Sequence, residues 1–442
     1  MTRPLPPLHP EKPLALPRVV ERHLPSGLRI FAVPRKGAPL VEVRVLVPLS
    51  AGDPVRSAAA ELLTTTAFTG SVRLDGRDVP WDSAFTTGRP QAQRMAEWLT
   101  VVGHVPAAGL DRMLAMTASW LAAPAVPEDR LARERERLSQ ALAILDAQPQ
   151  RIVLRELNRA RYGDLPVFGA WPPAATVAAL TADDVLDTHR TCLSLREARV
   201  IVVGDIDAGT TADAVARAFD GLPAGAAAPV RPGPAPAGRM RLVPRPGAAQ
   251  SHVALSGRSV PFDDPRYPAL AVANAVFAGY FSSRLVANIR ERRGLAYHAL
   301  SRFDRTLGSP STVTDVVCGT PSTGLVVSEV LAELTRLVES PPTPREIDGA
   351  RTYLRGSLLT ATASQSDLAN LLASLCCWDV GTDWIQEYPR QLLEVTSDEV
   401  AAACRDFFGP GPQAGVVLGD PAAAGPSLTR YGFDFEAAGE QT

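Results

Sequence analysis

The chain has 442 residues, too many for one compact core, so two or three domains are expected. Apolar residues make up 46% and charged residues 21%, and 45 basic against 47 acidic side chains leave a net charge of −2. That balance excludes a global field steering the chain to nucleic acid or an anionic membrane, and neither is expected as a partner.

The opening MTRPLPPLHPEKPLALP, residues 1–17, is a proline-rich extension whose prolines interrupt the apolar stretch a signal peptide needs. No later segment approaches the ~20 uninterrupted apolar residues of a membrane span. The cysteines Cys192, Cys318, Cys376, Cys377 and Cys404 are odd in number and form no C-x-x-C pair, so neither a disulfide framework nor a cysteine zinc site is indicated. A cytoplasmic location is the expectation.

Leu28–Val33 and Val41–Leu49 are rich in β-branched residues, and the Pro/Gly/Ala break between them predicts a hairpin or meander. Pro127–Leu145 starts acidic and carries Leu131, Leu138, Leu142 and Leu145 at helical spacing, with Pro149 as a stop. Within it, RLARERERL alternates in sign and reads as a solvated helix face, not a nucleic-acid patch. Val200–Val203 is a short buried strand, and Ala212–Phe219 and Leu325–Val338 are amphipathic helices.

The chain repeats once. VPRKGA at Val33–Ala38 returns as VPRPGA at Val243–Ala248, TADDV at Thr181–Val185 as TSDEV at Thr396–Val400, and VVGD at Val202–Asp205 as VLGD at Val417–Asp420. The shared order and nearly constant offset imply two homologous halves of roughly 200 residues, a usual domain size. The expected fold is α+β: a first domain over 18–222, a Gly/Pro/Ala linker over 223–238 and a second domain over 239–437, each a largely antiparallel sheet packed against helices.

The densest signal is GYFSSRLVANIRERRGLAYHALS, Gly279 to Ser301. A helix from Ser282 to Arg292 would end at Gly294, and Ala296–Leu300 would begin a strand, with Arg293 and Tyr297 flanking the turn. Both side chains donate hydrogen bonds near neutral pH and together could grip a peptide carbonyl. Taken alone, they read more simply as a solvated helix-end charge and an ordinary strand aromatic.

The stretch resembles the second-domain signature of the pitrilysin/insulinase family of metallopeptidases, in which G-x-F-S-S-R-L and R-G-L-A-Y supply an Arg/Tyr pair to the substrate backbone. Phe281–Leu285 and Arg293–Tyr297 match it, so the resemblance gives Arg293 and Tyr297 catalytic and substrate-binding roles. Leu24–Asp53, Arg130–Leu142 and Arg196–Ala208 are similar to the family's opening strands, its last-ligand helix and its first-domain closing strand.

One departure matters. Catalytic members carry H-x-x-E-H and a distant Glu. Anchored on Phe68–Gly70, which resembles the F-x-G that follows that motif, Glu61 and Thr65 stand at the histidine positions, Thr64 at the general-base glutamate and Ala141 at the third ligand. No two of the six histidines lie within five residues of each other, so no helical His pair compensates. No cofactor is therefore expected in this chain.

The resemblance then implies a zinc-free subunit, inactive alone, of a bacterial two-subunit peptidase. A zinc-motif-bearing homologous subunit would be its partner and would carry the zinc, and Arg293 and Tyr297 would act in trans on a peptide. In isolation the chain would be able to form a homodimer. The alternatives are a non-enzymatic structural subunit, against which the retained R-G-L-A-Y argues, or a peptide-binding chaperone of the same fold. No P-loop and no G-x-S-x-G elbow is present.

Overall fold

A computed structural model describes residues 18–74, 77–81, 88, 90–95, 97–163, 172–222, 239–306 and 308–435. The N-terminal extension, the linker at 223–238 and residues 436–442 lie outside them. The strands of the first half are β1 (Val20–His23), β2 (Arg29–Pro34), β3 (Leu40–Pro48), β4 (Ser71–Leu74), β5 (Arg77–Pro80), β6 (Gln91–Arg94), β7 (Trp98–Pro106) and β8 (Arg199–Gly204). Those of the second are β9 (Arg239–Pro244), β10 (Gln250–Arg258), β11 (Ala296–Asp304), β12 (Ser311–Gly319), β13 (Ala414–Gly419) and β14 (Phe433–Phe435).

Two six-stranded sheets result, in the orders β1-β2-β8-β3-β7-β6 and β11-β12-β10-β13-β9-β14. The fold is α+β in two domains, as the repeat implies, and the repeated motifs occupy equivalent places. VPRKGA ends β2 and VVGD ends β8, and the two strands run parallel with Pro34 opposite Gly204. VPRPGA and VLGD do the same in β9 and β13, with Pro244 opposite Gly419. The repeated T-x-D-[DE] segments form capping boxes, Thr181 with Asp184 and Thr396 with Glu399, each satisfying orphan amides at a helix start.

The expected hairpin does not form. β8 inserts between β2 and β3, parallel to the first and antiparallel to the second, so both sheets are mixed. A turn-rich break fixes where a strand ends, not which strand pairs with it.

The helices are α1 (Pro54–Thr65), α2 (Leu110–Ala122), α3 (Glu128–Asp146), α4 (Pro149–Tyr162), α5 (Ala174–Ala179), α6 (Ala182–Cys192), α7 (Ala208–Ala218), α8 (Tyr267–Asn274), α9 (Arg284–Val286), α10 (Thr323–Glu339), α11 (Pro344–Ala361), α12 (Gln365–Cys377), α13 (Trp384–Glu394), α14 (Ser397–Ala403) and α15 (Pro421–Leu428). Tyr267–Arg292 has the length and hydropathy of a membrane span, yet 72% of its most apolar window is buried within the protein. Its apolar side chains belong to the second-half core.

Both faces of each sheet are covered, and the second cover comes from the other half. In the first sheet Val200 and Val202 face their own half's helices. Ile201 and Val203 face the opposite way, where α12 of the second half packs with Leu368, Leu372 and Leu375. Reciprocally, Val153, Leu157 and Ala160 of α4 pack on Ala254, Val313, Ala414 and Val416 of the second sheet. Polar ties seal these contacts. Arg44 on β3 donates to Asn370 (2.9 Å) and Ser366 (3.1 Å) of α12, and Arg199 on β8 pairs with Asp379 at 2.9 Å.

Candidate functional site

Asp53 caps α1, its carboxylate accepting from the Arg56 amide, and Pro54 supplies the pre-set φ of a first helical residue. Buried Ala58, Ala59 and Ala60 let α1 pack closely. This helix carries three of the four degenerate metal positions. Thr64 donates its hydroxyl to the Glu61 carbonyl at 2.8 Å and Thr65 to the Leu62 carbonyl at 3.2 Å, so both are spent on the helix backbone. Ala141 is half-buried on α3, which packs against α1.

Glu61 is buried and faces a cation. Arg94 Nε, on edge strand β6, lies 3.0 Å from Glu61 Oε2, and the side chains are only 7% and 11% exposed. Burial pushes the Glu61 carboxyl above its ordinary value, while Arg94 first, then Arg137 and Arg151, draw it back. One carboxylate, two backbone-bonded threonines and an alanine do not fit zinc, which needs three protein ligands and an open position. Among the described residues no group of three His, Cys, Asp or Glu could hold a metal ion.

In the second half the expected helix over Ser282–Arg292 begins as α9 and widens into a π turn over Ala287–Arg292. Gly294 leaves it at φ +60, a left-handed conformation that glycine adopts without strain. Arg284 of the S-R-L segment fixes this element to α11: its Nε and Nη2 bind Glu346 at 2.7 and 2.8 Å, and its Nη1 donates to the Ser340 carbonyl at 2.7 Å. The Arg284 bond holds the Glu346 carboxyl down at about 2.

Arg293 is held in place and left reachable. Its Nη2 lies 3.0 Å from Glu329 and its Nε donates to Asn288 Oδ1 at 3.0 Å, with the side chain 46% exposed. Buried Asn288 donates in turn to Glu329 and Glu333, each at 2.8 Å, and Arg336 closes the network on Glu333 at 2.7 Å. Burial opposes ionisation of Glu329, but Asn288, Arg293 and Arg336 outweigh it and keep its carboxyl below the ordinary value.

Tyr297 sits at a β-bulge on edge strand β11, where the pairing with β12 skips from Ala296 to His298. Tyr297 is 88% exposed, and Arg290 stacks 5.4 Å from its ring and 5.2 Å from the ring of Phe281, also exposed. Arg293 and Tyr297 therefore stand at the two ends of one tight turn beside an open sheet edge, two exposed side chains that can donate hydrogen bonds.

Sequence reasoning missed Arg94, Asn288, Glu329 and Glu333. The last two left a signal: on the amphipathic Leu325–Val338 they fall among Val326, Val330 and Leu337, carboxylates on a buried face. Arg94 left none, since nothing in the chain ties a strand arginine to a helix 33 residues away.

Residues 179–354 match the family model described as the Peptidase M16 inactive domain. An uncharacterized zinc protease of Streptomyces coelicolor is 25% identical over 409 residues, covering 89% of this chain and 88% of that protein. A probable inactive metalloprotease of Bacillus subtilis is 25% identical over 212 residues, 45% of this chain and 49% of that protein. The crystal structure of a peptidase M16 inactive domain from Pseudomonas fluorescens superposes with a TM-score of 0.80 at 20% identity, covering 91% of this chain and 98% of that one, which establishes a shared fold. With the zinc motif absent and the second-domain signature in place, the chain is a homologue of the insulinase-family metallopeptidases that lacks their zinc motif.

Proposed function

We propose that this protein is the zinc-free subunit of a two-chain zinc peptidase, and that it gives Arg293 and Tyr297 to the site of a zinc-bearing homologous partner. The observation that carries the reading is the contrast between the halves. The first-half site is filled by an internal ion pair, while the Arg293/Tyr297 turn is braced from behind by Asn288 and Glu329 and open in front. A purely structural subunit has no use for a braced donor pair beside a free strand edge. An extended peptide adding to β11 would offer its carbonyls there, a mode that reads backbone more than side chains. The zinc belongs to the partner, and the compartment we infer is the cytoplasm.

The test is reconstitution. Alone, the chain should leave unstructured peptides intact, and mixing it with a zinc-bearing homologue should produce hydrolysis. Arg293→Ala and Tyr297→Phe should lower turnover of the mixture without preventing association, by about 10²–10³ if they contact the developing oxyanion. Full activity of both variants would assign the pair no role and favour the structural reading.

A further inference from the structure

We propose that Arg94 is the resident cation of the first-half site, taking on the Glu61 carboxylate the part a metal ion plays in zinc-bearing relatives and closing the site to divalent metals. Loss of the motif residues is then only half of the chain's exclusion of zinc. The other half is a residue outside the motif.

The reasoning starts from burial. A carboxylate withdrawn from water needs a proton or a cation close by. Glu61 has one: Arg94 Nε at 3.0 Å, with both side chains almost wholly enclosed. A guanidinium keeps its proton at any pH the protein survives, so the cation cannot leave by deprotonation. Nor can it swing far, because its side chain is enclosed by the protein and its backbone is fixed in β6, which pairs with β7 from Gln91 to Arg94. A divalent ion arriving at Glu61 would meet a fixed like charge a few ångströms off in a low-dielectric setting, where repulsion is scarcely screened. Arg137 and Arg151 act on the same carboxylate and add to the positive field. The pair also ties helix α1 to the sheet edge on which it packs.

The experiment rebuilds the motif with and without Arg94. Glu61→His, Thr64→Glu, Thr65→His and Ala141→Glu are combined in the full-length chain, and zinc is measured by equilibrium dialysis and metal analysis. With Arg94 retained, binding should stay below one zinc per chain at micromolar zinc. Adding Arg94→Gln should raise the affinity at least tenfold. Equal zinc affinity with and without Arg94 overturns the proposal.

Should the rebuilt chain fail to fold by circular dichroism, a cycle in the natural background decides. Arg94→Gln alone should raise the unfolding constant at least tenfold, and Glu61→Gln together with Arg94→Gln should recover most of that loss. Additive effects of the two single substitutions would overturn the proposal. Both readouts use this chain alone, so they stand or fall apart from the two-chain peptidase reading.

Discussion

Arg161 and Asp304 form an ion pair between the two halves: the arginine, wholly buried at the end of α4, meets the carboxylate at the far end of β11. Arg161 also donates to the Ser309 carbonyl at 3.4 Å, and its guanidinium lies 4.4 Å over the Tyr162 ring. The pair sits where the exchanged helix α4 leaves the second sheet, so it pins that helix in place.

Breaking such a pair from one side leaves a charge stranded in low dielectric. Arg161→Met should destabilise the chain by about 3–5 kcal/mol in chemical denaturation, and Arg161→Met with Asp304→Asn should recover a large part of it. Equal losses in the single and double variants would show that Arg161 acts by packing alone.

The same carboxylate sets part of the acid response. Burial pushes the Asp304 pKa up, but the charge and hydrogen bond of Arg161, with bonds from Thr306, outweigh it and leave the group below the ordinary value of 3.8. A group depressed in the folded state adds stability that is complete above the unfolded pKa and is lost as pH falls through the folded one. Stability should therefore drop more steeply below about pH 4 in the natural chain than in Asp304→Asn, as followed by thermal unfolding between about pH 2 and 6.

Cutting the linker should not separate the halves. Protease nicking between Gly221 and Gly238, where Gly, Pro and Ala displace large apolar residues, should give two fragments on a denaturing gel and one species by size exclusion. Each fragment keeps a helix seated on the other's sheet. Two separate elution peaks without denaturant would contradict the helix exchange.

Glu329 and Asn288 are positioning residues for Arg293. In a reconstituted mixture Glu329→Gln should retain the fold and lose roughly tenfold to a hundredfold in kcat, as expected when a contact is misplaced by about an ångström. Glu329→Asp should lie between the two. An effect on melting temperature with kcat unchanged would make the network structural only.

Gly294 turns the chain from the π turn into β11 at φ +60, with nothing within 4 Å of where a Cβ would stand. Gly294→Ala should therefore cost backbone strain alone, about 1–2 kcal/mol, and Gly294→Asn less. Urea midpoints of the two variants provide the comparison.

The halves, their equivalent strands and the Arg293/Tyr297 turn were legible in the sequence because each rests on local information. A repeated motif carries its register with it, a glycine marks its own turn, and the T-x-D-[DE] segments cap the helices they begin. What stayed hidden depends on pairing at a distance. The apolar run Val200–Val203 announced a short buried strand, yet nothing in it says that Ile201 and Val203 await a helix from the other half. Glu61 was visible as a lone carboxylate, but its partner Arg94 is set by how β6 lies against α1. The expected hairpin failed for the same reason, since the strand that separates β2 from β3 is β8, which comes from Arg199–Gly204, far along the chain.

The exchange of α4 and α12 also speaks to ancestry. The repeat records a unit of roughly half this length that was copied and joined. In the arrangement seen here that unit has one sheet with two apolar faces, and the helix that covers the second face belongs to its twin. Without that helix Ile201 and Val203 would stand in water, so neither half completes its own core. The two copies now differ in what they hold, one the filled Glu61 site and the other the open Arg293 and Tyr297 turn.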